Sequence, residues 1–143
     1  MKKIMAFITI VAIILIMLAI KYYNYKDEYS KIKEINAQYE SYYQKEIYGT
    51  DVATIVNRAV NDNENNNVKK DSKGYYIENN TDSIKVEIKI TDNDTTYNME
   101  TLYNGGMANF VKYYNNVEFE CTKIEYHSET KKIKYMLFEQ KNE

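Results

Sequence analysis

A chain of 143 residues, 44% of them hydrophobic and 16 of them tyrosine, is long enough for one small domain and too apolar to be disordered throughout. Its 19 basic and 21 acidic residues give a net charge of −2, and setting aside Lys2 and Lys3 leaves 17 basic against 21 acidic, a balance of −4. That sign argues against a nucleic-acid partner, which needs a basic footprint to displace phosphate counterions, and a single cysteine, Cys121, excludes an intrachain disulfide.

Residues 4 to 20 are apolar except for Thr9, and at 1.5 Å per residue they cover about 26 Å, close to the thickness of a hydrocarbon core. Tyr22, Tyr23 and Tyr25 follow at once, rings suited to the headgroup level, with Lys21 and Lys26 beside them to snorkel. Ala19 has no small partner two positions away and no cysteine follows, so an uncleaved anchor in membrane lipid is expected rather than a removed signal peptide or a lipoprotein. Lysine counts on the two sides do not place the remainder outside, since Lys21, Lys26, Lys31 and Lys33 outnumber Lys2 and Lys3. A short basic start before an apolar core is how an export signal begins, however, and long domains translocate largely regardless of charge. An extracytoplasmic carboxy-terminal domain is therefore expected.

From Tyr22 the pattern becomes Tyr22, Tyr25, Tyr29, Ile32, Ile35 or Asn36, Tyr39, then Tyr42 or Tyr43, a helical spacing of three and four. Charged residues such as Lys26, Glu28, Lys33 and Glu40 flank this narrow stripe, which suits a coiled-coil-like seam or a helix lying on a sheet. The stripe of Tyr25, Tyr29, Ile32, Tyr39 and Tyr43 is thus either core or a surface for self-association or another protein. Nothing punctuates a helix between residues 20 and 46, so one helix from near Lys3 to Ile47 is predicted. This divides the chain into an anchor (1–21), an amphipathic stalk (22–48) and a domain (49–143).

Gly49 is predicted to end that helix and Thr50 to cap the next, with Asp51 in its first turn and Val52, Ile55, Val56, Ala59 and Val60 on its apolar face. Residues 61 to 67, NDNENNN, read as a loop. A calcium loop starting at Asp62 would need Gly and Glu where Asn67 and Lys73 stand. GYYIEN (74–79) reads as a short strand, and SIKVEIKI (83–90) as a strand with Ile84, Val86, Ile88 and Ile90 on its buried face. TDNDT turns it into TYNMETLY, a hairpin. Asn104, Gly105 and Gly106 are expected to break the chain before a short helix carrying Met107, Phe110, Val111 and Tyr114. VEFECTKIEYH and KKIKYMLFEQ form a second hairpin around SET, with Ile124, Tyr126, Ile133, Tyr135 and Leu137 inward. The order predicts an α+β domain whose antiparallel sheet is covered on one face by helices.

Catalytic patterns are absent from this reading. His127 and Cys121, the one histidine and the one cysteine, stand six residues apart on one strand, about 20 Å at full extension, too far to form a dyad. Cys121 is expected to be a small buried hydrophobe and His127 an exposed turn residue, and together they are too few for a zinc tetrahedron. No spacing selects a carboxylate pair, and Gly105-Gly106 is a turn rather than a phosphate loop. No catalytic, cofactor-binding or metal-binding residue is therefore assigned. Tyrosine abundance suits a ligand-binding surface, for which VKYYNN offers Tyr113.

The layout, a short basic start and an apolar helix running into an amphipathic one and then an antiparallel sheet, resembles type IV pilins and minor pilins. In that family the helix packs into the filament or membrane. KKIMAFITIV carries Ala6 and Phe7 at the equivalent of the processing site, with Val11 where the family has Glu. EIYGTDVATIVNRAVNDNENN, with FVKYYNNVEFECTKIEYHSETKKIKYMLFEQ, is similar to small, uncharacterised membrane-anchored proteins of low-GC Gram-positive bacteria. That resemblance implies a cell-surface location and no particular activity.

Overall fold

The computed structural model describes residues 2–92 and 94–141, so the Asn93 position of the predicted TDNDT turn lies outside the described residues. The chain forms two compact units, Met1–Glu34 and Ile35–Glu143. Helix α1, Lys2–Glu40, supplies the first unit, and its final turns belong to the second.

In the first unit the helix is uninterrupted, as a stretch with neither glycine nor proline allows. Thr9, the polar exception in the apolar segment, returns its hydroxyl to the Met5 carbonyl at 2.9 Å, so the helix satisfies its own polar groups. The segment is long and apolar enough to cross a membrane, and none of it is buried by the fold. Beyond it, Lys31 pairs with Asp27 one turn earlier at 2.6 Å.

The second unit is α+β. Strands β1 (Glu46–Tyr48), β2 (Lys85–Ile90), β3 (Thr95–Asn98), β4 (Glu118–Tyr126) and β5 (Ile133–Gln140) form one sheet in the order β1-β4-β5-β2-β3. The β2–β3 and β4–β5 hairpins were both legible, but β5 also pairs with β2 in parallel, so the sheet is mixed. Helix α2 (Gly49–Asn65) buries Val52, Ile55, Val56, Ala59 and Val60 against the sheet, the face its periodicity predicts. Ile84, Val86, Ile88 and Ile90 join the same core. At about 25 cal/mol per Å² such aliphatic burial is the main term holding the layers together.

Several elements depart from the sequence reading for identifiable reasons. Helix α1 ends at Glu40 rather than Ile47: Gln44 takes a left-handed φ of 53° and donates its N–H to the Cys121 carbonyl at 3.2 Å, swinging residues 46–48 into β1 beside β4. Gly49 opens α2 instead of closing α1, and Tyr48, not Thr50, caps it, donating its backbone N–H to Asp51 at 3.2 Å. Gly49 is required by close approach, since a Cβ there would lie 2.1 Å from the Tyr114 carbonyl oxygen. Residues 74–79 form no strand, only an isolated bridge between Lys70 and Tyr76, because the Tyr76 N–H is taken by the Glu100 carboxylate at 3.0 Å.

The predicted break at Gly105-Gly106 is instead a helical passage. Met99–Thr101 (α3) runs through a π turn, Leu102–Gly106, into α4, Met107–Tyr114. Positions 99, 102, 106, 110 and 114 advance by three and then by fours, and each step of four overshoots an α-helical face by about 40°. A wider π turn takes up part of that drift, keeping Met99, Leu102 and Phe110 buried together.

Two bulges reset the inner face of the last hairpin, between Cys121 and Lys123 on β4 and between Glu125 and Tyr126 against β5. Ile133, Met136 and Phe138 are therefore buried, whereas Tyr135 and Leu137, expected inward, stand on the opposite face and Tyr126 is exposed.

Candidate functional site

The most elaborately built polar region lies where the parallel strands β2 and β5 begin. Parallel neighbours need their starting ends held by something other than a hairpin turn. Here two helices supply an asparagine each. Asn63 of α2, fully buried, donates Nδ2 to the Ile84 carbonyl at 2.7 Å and accepts the Ile84 N–H at 2.8 Å. Asn36 of α1 does the same beside β5, donating to the Lys131 carbonyl at 2.8 Å and accepting the Ile133 N–H at 3.0 Å. Each side chain imitates one rung of a strand ladder.

His127 completes this junction. Expected on the surface, it is 2% exposed and donates Nε2–H to the Ser83 carbonyl at 2.8 Å, while its backbone brackets Lys131 and Lys132. A carbonyl can only accept, so Nε2 carries the hydrogen. Lys132 reaches Asp82 at 2.5 Å and, through that hydrogen bond, holds the carboxyl below its ordinary 3.8. Tyr39 stands in the core, 1% exposed, and donates its hydroxyl to Asp62 at 2.5 Å. Burial first, and that bond second, push the phenol far above its ordinary value, so it stays neutral. Asn36, Tyr39, Asp62, Asp82 and Lys132 line a cleft of about 120 Å³. Every polar group named there has a protein partner.

A second concavity, about 200 Å³, is mainly apolar and lies between the π turn, α4 and β3. Tyr97, Tyr113 and Tyr114 line it with Leu102 and Phe110. Tyr113 does point outward, 67% exposed, as VKYYNN suggested, with the Lys112 ammonium over its ring. The uncovered face of the sheet carries alternating charges: Lys85 pairs with Glu87, Lys89 with Glu139, and Lys123 and Lys134 with Glu125. Tyr135 sits among them, donating to Glu87 at 2.7 Å.

Cys121 is buried as expected, and burial pushes its thiol up to about 11, which keeps it protonated at neutral pH. The tyrosine stripe divides. Tyr39 is core and unavailable to a partner, Tyr43 lies at the domain surface, Ile32 is half-buried, and Tyr25 and Tyr29 are exposed on the first unit.

Sequence reasoning set Asn36 on the stripe only as an alternative to Ile35, read His127 as an exposed turn residue, and did not single out Asn63. A signal for Asn63 existed, because it continues the buried face of α2 at i+3 from Val60 and i+7 from Val56. Its polarity made residues 61–65 read as a loop, when they are the last turn of the helix. No protein-family model matches the chain, and no curated protein or solved structure matches it.

Proposed function

We propose that this chain is a single-pass, membrane-anchored protein of the cell envelope whose α+β domain, outside the cytoplasm, is a non-enzymatic interaction or structural module. The observation that carries this reading is the apolar segment of α1, left wholly uncovered by the rest of the chain. Each large aliphatic side chain there gains about 1.5–3 kcal/mol when removed from water, so lipid is the natural cover. A domain whose buried side-chain polar atoms, among the described residues, all have partners, and whose single thiol is buried and protonated, suits an interaction role better than catalysis.

The test places a cysteine at exposed Asn65 in a Cys121→Ser background and treats intact cells with a membrane-impermeant maleimide. Labelling before lysis is expected; labelling only afterwards, with the protein in the membrane fraction, refutes the extracytoplasmic placement. A minor pilin-like subunit is the second reading, favoured by a long amino-terminal helix whose last turn, through Asn36 and Tyr39, is built into a sheet domain. It predicts cleavage between Ala6 and Phe7 and filament-associated protein, against an intact amino terminus in a dispersed membrane population. The tyrosine-lined groove supports a third reading, a ligand-binding surface module.

A further inference from the structure

Resting on the membrane-anchored reading, the structure assigns the exposed stripe of α1 to a second copy of this chain: residues 22–33 form a parallel two-stranded seam just above the membrane, with Glu28 of each copy facing Lys33 of the other.

Tyr22, Tyr25, Tyr29 and Ile32 follow one another at three, four and three, the spacing of a and d positions in a heptad. The next two positions in that series, Asn36 and Tyr39, are buried in the chain's own domain. The same stripe is thus occupied from Asn36 onward, half-buried at Ile32, and open before that, where Tyr22, Tyr25 and Tyr29 are 63%, 67% and 57% exposed. Three tyrosines in line present a large area with few rotatable bonds, which favours association over isolated exposure.

Charge selects the partner and the direction. With Tyr29 at a, Glu28 occupies a g position and Lys33 the following e position, the pair that meets across a parallel dimer. Among the described residues neither is in an ion pair within its own chain; Lys31, one turn from Glu28, is bonded to Asp27 at 2.6 Å and feels Glu28 only at longer range. Lys21 and Lys26 form the corresponding like-charged set one heptad earlier. They fall at the headgroup level, where anionic lipid and water neutralise them, so the favourable pair lies on the side away from the bilayer. Two copies anchored in one membrane with the same orientation are necessarily parallel. A seam of under two heptads does not hold in water, but two anchored chains are already confined and aligned, which raises their effective concentration.

The experiment uses the full chain in native membranes, with single cysteines introduced by Tyr25→Cys, Tyr29→Cys and Ile32→Cys on the seam and Asp27→Cys, Ser30→Cys and Lys31→Cys away from it. The parent chain, whose only thiol is buried, serves as the blank. Copper-phenanthroline oxidation is expected to give disulfide dimers several-fold more abundantly at 25, 29 and 32. Glu28→Lys should reduce the dimer at position 29 several-fold, and adding Lys33→Glu should restore it. Equal yields at all six positions, which random collision would give, overturn the seam. So does a ladder of species beyond the dimer, or a charge exchange without rescue. Protein recovered in the soluble fraction instead refutes the anchor itself, which separates failure of that reading from failure of the seam in a properly inserted chain.

Discussion

Replacing Asn63 by alanine isolates the device that holds the start of β2. The substitution removes both hydrogen bonds to Ile84, itself only 6% exposed, and leaves a buried N–H and a buried carbonyl without partners. At about 1–3 kcal/mol for each orphaned group, the loss is about 3 kcal/mol, a large share of the roughly 5–15 kcal/mol that a domain of this size possesses. With a urea dependence of about 1.5 kcal/mol per molar, the unfolding midpoint should fall by about 2 M with an unchanged slope. Cys121 supplies the assay, because its thiol is buried in the native domain and reacts with a maleimide pulse only after unfolding, in membranes or detergent alike. Asn63→Asp should behave similarly, keeping one acceptor but setting a carboxylate against the Ile84 carbonyl. Asn65→Ala, two residues on and exposed, should stay within about 0.5 kcal/mol. A midpoint shift below about 0.5 M for Asn63→Ala, or an equal one for Asn65→Ala, would refute the argument that these two bonds replace a strand partner.

Gly49→Ala should destabilise the domain by about 1–3 kcal/mol despite the better helix propensity of alanine, because the new methyl would collide with the Tyr114 backbone; a stabilised protein in the same urea assay would contradict the close packing of α2 on α4. Asp82→Asn should lower stability at pH 7 by about 1 kcal/mol or less, given its partial exposure. Because the folded carboxyl lies below 3.8, the contribution is present above that pH and lost as pH falls through the folded value. The parent and Asp82→Asn urea curves, followed by tyrosine fluorescence, should therefore converge in acid, and a gap that persists or widens there would oppose the assignment.

Periodicity carried most of what the sequence revealed. The buried faces of α2 and β2 follow from spacings of 3.6 and 2, and the sheet with helices on one face follows from the order of elements. What stayed hidden depends on contacts distant along the chain. Residues 61–65 look like a loop because asparagine favours its own backbone, until Asn63 finds Ile84 and Asp62 finds Tyr39. The end of α1 carries no glycine or proline because Gln44 takes the left-handed turn, held by β4. Bulges shift the parity of β5, so alternation read forward from Ile133 turns Tyr135 and Leu137 to the wrong side. His127 looked like a turn residue because its partner, the Ser83 carbonyl, lies 44 residues earlier.

The place of β5 in the sheet also governs whether the sheet holds together. β1 and β4 make one edge of the sheet and β2 and β3 the other, and among the described residues β5, which follows them all in the chain, is the strand that touches both. Without β5 the two edges have no common strand, and the aliphatic faces of β2 and α2 have no finished layer on which to close. Removing β5 would therefore split the sheet into two separate strand pairs rather than shorten it at one edge.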